Sequence, residues 1–313
     1  MPRTDYEMMV DLYESVGQPG AAITQADTAH LVIQENKVLG AATVPGLHVE
    51  PETTDTGVRI RLRLDPGVRV AKQVHLCFGV LPEEGVQEID MDAEVGEGSS
   101  VSLLAHCVFP NAVNVTHRMQ ADIRVGPGAE YEYLERHVHS EGGGVLVLPK
   151  ARVQLAEGAR VRAEFDLLQG RVGRIDIDYE VTCGARSTLD MLARINGRGT
   201  DEIKIREAAT LEGESSRAVL RSRVALRDKA RAEILNEITA LAARCRGHVD
   251  CKEIVQGEGS ANAVPIVTVR HPLAHVTHEA AIGSVDDKQL VTLMARGLSE
   301  DDAVEAIIQG LLS

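Results

Sequence analysis

GEGSSVSLL (96–104), GPGAEYEYL (126–134), AEGARVRAEF (156–165), TCGARSTLDM (182–191) and LEGESSRAVL (211–220) share one plan. Each has a glycine (98, 128, 158, 184 and 213), in the first four a small residue directly after it, and then a run in which apolar and polar residues alternate. A further strand-like run usually precedes the glycine, as in AEV, DIRV, RVQLA and DYEVT. The glycine spacings are 30, 30, 26 and 29 residues. Glycine suits a tight turn that needs φ > 0, and the alternation sends every second side chain to one face. A fixed period with at least two short strands per unit is the mark of stacked rungs, each burying one face on its neighbours. An antiparallel sandwich built from regular hairpins would use the same alternation.

The composition fits thin, layered packing. Of 313 residues 44% are hydrophobic, yet there is no Trp, with three Phe and five Tyr. Val, Ile, Leu and Ala must therefore fill the core. The formal net charge of −14 argues against a nucleic-acid surface, which needs clustered Lys and Arg. No stretch reaches the ~20 apolar residues of a membrane span, and the opening MPRTDYEMM lacks the apolar centre of a signal peptide. A cytoplasmic protein without a membrane partner is expected. Its five cysteines (77, 107, 183, 245 and 251) are then thiols, buried as small apolar groups or free for metal.

Both flanks read as helix. Thr4 and Glu7 form a capping box, Leu12 and Val16 share a face, and Gly17 with Pro19 ends the element. After Glu279, Ser284 with Asp287 caps one helix, striped by Leu290, Val291 and Met294 and stopped by Gly297. Ser299 with Asp302 caps a second, whose apolar face holds Ala303, Val304, Ile307, Ile308 and Leu311. Helices this short need a body to pack on. Between the flanks, GVRIRLRLD (57–65) alternates as a half-buried strand. The segment 227–245 has helix propensity, but Ile234, Asn236 and Ile238 alternate with Leu235, Glu237 and Thr239, so it is assigned to a strand. The expected organisation is an N-terminal helix and linker (1–30), a β core (31–279) and a C-terminal helical subdomain (280–313).

The C-terminal residues resemble a known family. Cys251 precedes an aliphatic run, Ala261, Ala263 and Pro265 give A-x-A-x-P, HEA (278–280) leads into D-x-Q-L (287–290), and RGLSEDDA (296–303) opens the last helix. Together, in this order, these resemble the SufB/SufD proteins, scaffold subunits of the SUF iron–sulfur cluster assembly system. Weaker similarity runs back through YEYLERH (131–137) to about residue 90. The resemblance implies a mainly β fold, a right-handed parallel β-helix with a C-terminal two-helix subdomain. It implies a SufC-type ABC ATPase bound through the last helices, at Gln289, Leu290, Arg296, Gly297, Leu298, Ala303, Val304, Ile307 and Ile308. It also implies pairing through the β-helix, here as a homodimer or with a paralogue, since the chain is short for the family.

The resemblance further implies a transient iron–sulfur cluster. Cys251 falls on the cysteine SufB uses, His278 on its histidine and Glu279 on the acidic neighbour where SufD-type chains tend to have Gly. Cluster chemistry needs thiolate, with imidazole or carboxylate completing the iron shell. Thr277 stands where SufB usually has another acid, and His137 where SufB has a cysteine associated with sulfur receipt. Cys245 and His137 are weaker ligand candidates, rung packing being the other reading of Cys245. Cys77, Cys107 and Cys183 are expected to be structural. His275 and Thr277 share a strand face that His278 does not, and so do His137 and His139. The Gly run 142–144 has no following Lys-Ser/Thr, so the chain itself is expected to bind no nucleotide, and the resemblance implies a scaffold without catalytic turnover of its own, not an enzyme. A SufD-like accessory subunit without its own cluster, or a carbohydrate-active β-helix enzyme, are the other readings. The latter needs paired carboxylates in an open groove, commonly with aromatics, of which this chain has few.

Overall fold

Two long sheets, one of ten strands and one of nine, run side by side through the computed structural model, which describes residues 3–313. From Gly57 onward the chain alternates between them, and each strand pairs in parallel with the strand two places on. Ser100–Phe109 thus lies beside Glu130–His139, and Asn114–Val125 beside Val145–Leu155. The result is a β-solenoid of about eight turns, and the sandwich alternative falls away.

The period-2 pattern decides what each strand buries. In Glu130–His139, Tyr131, Tyr133, Glu135, His137 and His139 point into the lumen between the sheets, while the intervening residues are half-exposed. Because pairing stays in register, inward residues stack in columns. One column runs Ala105, Glu135, Phe165, Ala193, Ser222, Cys251, Ala280. Its neighbour runs Cys107, His137, Leu167, Ile195, Val224, Glu253, Ile282. Successive members stand one strand spacing apart, about 4.8 Å. Small aliphatic residues fill such a narrow lumen better than rings, which accounts for the scarcity of aromatics.

The turns correct one reading. Gly98, Gly128 and Gly158 do take positive φ, at 64°, 64° and 70°. Gly184 and Gly213 do not; in their rungs the left-handed residues are Arg186 and Ser215, followed by Arg244. Measured on these positions the spacing becomes 30, 30, 28, 29 and 29 residues, more even than the glycines suggest. Gly184 is glycine for another reason, because a Cβ there would stand 2.6 Å from the Leu155 carbonyl oxygen of the previous rung. Segment 227–245 is strand at Arg231–Ala240, its helix propensity overridden by stacking between two neighbours.

The two ends differ. At the N-terminal end the strands His30–Gln34 and Lys37–Ala42, and Leu47–Thr53 and Gly57–Leu64, form antiparallel pairs that finish both sheets. Helix α1 (Asp5–Ser15), held by the Thr4–Glu7 capping box, packs there through Met9 and Tyr13; Leu12 and Val16 are only part-buried. A short α2 (Ala21–Thr24) follows. At the other end Ser260–Val269 and His275–Gly283 are outermost with free edges, and the last strand extends past residue 279 to Gly283. Helices α3 (Asp287–Met294) and α4 (Glu300–Leu312) come after it. Asp286, not Ser284, caps α3 by accepting from the Gln289 amide at 2.7 Å, while Ser299 caps α4 as expected. Among the described residues no helix is long and apolar enough to cross a membrane.

Candidate functional site

Near the open end the lumen turns polar. Cys251, on strand Arg246–Val255, points inward between Ser222 on the preceding rung and Ala280 on the last one. From the opposite wall the Asn236 amide donates to its Sγ at 3.7 Å. Ser222 donates to Glu253 Oε1 at 3.2 Å, and Glu207 stacks on Asn236. Glu207 Oε2, Asn236 Oδ1 and Glu253 Oε2 are buried with no hydrogen-bond partner. Orphaned acceptors of this kind are costly unless a cation, proton or water meets them. Burial raises the Cys251 thiol to about 11, the Glu253 carboxyl to about 7 and the Glu207 carboxyl to about 8. Burial thus favours the protonated forms of the thiol and both carboxyls, a set that yields protons when a metal cation arrives.

His278 is one rung further out, in register with Val249, so it stands on the lumen side two positions along from Cys251. Their α-carbons are roughly 8 Å apart by strand geometry. Val249 is covered by this rung, whereas His278 has no rung above it and is exposed. Glu279 pairs with Asp250 and faces outward, away from both. His275 and Thr277 are also outward, Thr277 hydrogen-bonded to His248 Nδ1 at 2.8 Å. Outside the pocket Arg223 pairs with Asp250 and donates to its carbonyl at 2.9 Å, pinning the backbone beside Cys251.

The two weaker candidates lie elsewhere. Cys245 sits at the rung corner, about 20 Å from Cys251 along the strand, with contacts to Ser216 Oγ at 3.4 Å and the Gly213 carbonyl at 3.3 Å. It packs the turn and is out of reach of Cys251. His137 is four rungs away, about 19 Å, in the lumen beside Glu135. There it meets Cys107 and His117, and these four residues offer donor atoms all within 4.8 Å of one another, a group that could hold a metal ion. By sequence alone Cys107 is expected to be structural, and nothing singles out His117 or Glu135.

The C-terminal helices divide the expected partner contacts. Val304 and Ile308 are buried against Ala225 and Val285, with Leu312 completing that face, and Ala303 is fully buried too. They anchor α4 to the solenoid and are not available to a partner. Ile307 and Leu290 are half-buried, and Gln289, Arg296 and Gly297 are exposed. Between the helices lies an open cleft of about 700 Å³, lined among others by Gln289, Thr292, Leu293, Ala306, Ile307 and Leu311.

Residues 86–311 match the family described as SUF system FeS cluster assembly, SufBD core domain. The chain belongs to the SufBD family. It is 33% identical over 309 residues, covering 98% of both chains, to an iron-sulfur cluster assembly SufBD family protein of Methanocaldococcus jannaschii. A similarly named protein of Pyrococcus horikoshii is 33% identical over 98% of this chain and 94% of its own. One from Archaeoglobus fulgidus is 26% identical over 80% of this chain and 67% of its own. With the first two relatives the similarity extends well upstream of residue 90, beyond the stretch in which motifs are visible by eye. As a SufBD protein, the chain is an iron–sulfur cluster assembly protein that carries its own lumenal thiol at Cys251.

Proposed function

We propose that this SufBD chain is a SufB-like scaffold on which iron–sulfur clusters are built and from which they are passed on. Cys251 supplies the thiolate and His278 an imidazole at the open end. The observation that carries this reading is a buried thiol among unpartnered acceptors, one rung from an uncovered sheet end. Thiolate plus imidazole and carboxylate is a donor set suited to iron and sulfide. Covered and neutral at rest, the thiol needs a movement of the last rung before it takes up iron. The outward Glu279 is left out of its own chain's ligand set.

A second copy, or a paralogue, covers the open end. On the outermost strands Val269 and Ile282, in the inward columns, and Val264 and Ile266, on the outer face, are 39–50% exposed, and free strand edges invite pairing. A two-fold arrangement would bring two Cys251–His278 sets to one interface. The cleft between α3 and α4 takes the SufC-type ATPase, which hydrolyses ATP in place of this chain, in the cytoplasm. With imidazole at His137, sulfur does not arrive as a persulfide on that residue.

Anaerobic reconstitution with iron and sulfide tests the scaffold. Wild type should develop the visible absorption of a thiolate-bound cluster and Cys251→Ser should lose it; an unchanged chromophore in the variant overturns the assignment. Truncation before Ser299 should abolish co-purification with the ATPase, and retained binding would contradict the docking reading.

A further inference from the structure

The group formed by Cys107, His117, Glu135 and His137 lies outside the pocket just described and needs its own account. Cys107 and His137 are register partners on adjacent rungs, Glu135 is two residues before His137 on the same inward face, and His117 comes from the opposite sheet. All four are buried, and His117, fully enclosed, has neither ring nitrogen hydrogen-bonded. A neutral imidazole carries one donor and one acceptor, so leaving both unmet in a dry interior is costly unless something binds there.

The hydrogen bonds of the neighbouring histidines sharpen this. His139 Nδ1 faces the Arg171 carbonyl oxygen at 3.3 Å, and a carbonyl only accepts, so Nδ1 carries the proton. In neutral His139, Nε2 is then an acceptor, and it receives the Nδ1 proton of His137 at 3.2 Å. That leaves His137 Nε2 as a bare lone pair, 2.7 Å from Glu135 Oε1. A lone pair and a carboxylate oxygen repel at this distance unless a proton or a cation stands with them. The chain from Arg171 through His139 is the kind of outer-shell relay that fixes the tautomer of a metal-binding histidine.

We infer that this lumenal tetrad is a closed site for one divalent transition-metal ion of the Zn²⁺ or Fe²⁺ type, separate from the Cys251 pocket. One thiolate, two imidazoles and one carboxylate make a four-donor set suited to such an ion and unsuited to Mg²⁺ or Ca²⁺. Tetrahedral bonds of about 2.0–2.3 Å need donor separations of about 3.3–3.8 Å, which Glu135 and His137, now 2.7 Å apart, reach by parting about 0.6 Å and the wider pairs, within 4.8 Å, by closing at most about 1 Å. Phe109 and Phe165 wall the site, with ring centroids 5.1 Å from His117 and 4.8 Å from His137 respectively. A cavity of about 40 Å³, lined by Glu135, Tyr133, Met119 and Pro149 among others, adjoins the site. With all four donors buried, the ion enters as the rungs close and stays. It clamps the two sheets together; it is not cargo.

The test uses the full chain in a Cys251→Ser background, so that iron bound at the open end does not contribute and failure of the scaffold reading leaves this test intact. Protein made in zinc- or cobalt-supplemented medium is dialysed against chelator and its metal content measured. About one equivalent should remain, and the cobalt form should show a near-ultraviolet thiolate-to-cobalt band with the intense visible bands of tetrahedral coordination. Cys107→Ser should lose the thiolate band, His117→Leu should lose the metal, and His139→Phe, a positioning change, should weaken binding about 10–100-fold. Circular dichroism checks that the variants fold; if one does not, the cobalt spectrum of the Cys251→Ser protein itself decides. Absence of retained metal, a spectrum without the thiolate band, or a thiolate band that survives in Cys107→Ser would overturn the inference.

Discussion

Two polar patches interrupt the same apolar lumen, and they use the same two columns of inward positions. Near the start Glu135 and His137 occupy them; near the end Cys251 and Glu253 do. Between lie Phe165 with Leu167, and Ala193 with Ile195, a plug two rungs thick. The donors are of one chemical kind, so what separates the patches is depth. The first has further rungs on both sides and an end finished by antiparallel pairs and α1. The second has one uncovered rung above it. On the proposals above, a metal sealed at the first would be a resident, and a cluster held at the second could leave. In a solenoid, distance from the open end is a chemical variable.

The largest effect is expected at the plug. Phe165→Ala removes the ring that packs on His137 and should lower unfolding free energy by about 3–5 kcal/mol in urea titration. A loss below ~1 kcal/mol would mean that the patches are not divided by a packed layer.

The next largest effect is expected at Glu207. Burial raises its carboxyl from 4.5 to about 8. The folded chain therefore keeps a proton that the unfolded chain releases near pH 4.5. Between those values the unfolded state binds fewer protons, so this group's contribution to stability falls as pH rises and levels off above pH 8. The effect, measured on metal-free protein, should be on the order of a few kcal/mol, and Glu207→Gln should remove it. An unaltered pH dependence in that variant would place the orphaned carboxyl in water.

The smallest effect on stability comes at the open end. Ile266→Lys should change unfolding free energy by no more than about 0.5 kcal/mol, because the side chain is 39% exposed in the single chain. In sedimentation it should convert the proposed dimer to monomer. A dimer that persists would move the interface elsewhere.

Much of this architecture was legible because it repeats. Alternation set the inward face of most rungs, and it outweighed helix propensity in 231–240. The glycines misled at 184 and 213, where the left-handed turn residue is Arg186 or Ser215 and the glycine answers a close backbone approach instead. Capping chemistry located α4 but misplaced the α3 cap by two residues, since Asp286 competes with Ser284 for the same role. The apolar face of α4 was visible, but which of its residues meet the solenoid and which meet a partner depends on packing that periodicity does not encode. Cys251 was found through the family pattern. Cys107, His117 and Glu135 were missed because stacking unites them across three strands, with no local ligand spacing. One signal was present: in YEYLERHVH (131–139) the parity that buries Tyr131 and Tyr133 also buries Glu135, His137 and His139.

The most direct measurement is the iron and sulfide content of anaerobically reconstituted wild type, Cys251→Ser and Cys107→Ala, taken side by side. The open-end account predicts sulfide-containing clusters in wild type and in Cys107→Ala, and none in Cys251→Ser. Clusters retained by Cys251→Ser but lost from Cys107→Ala would put assembly in the sealed patch and contradict it.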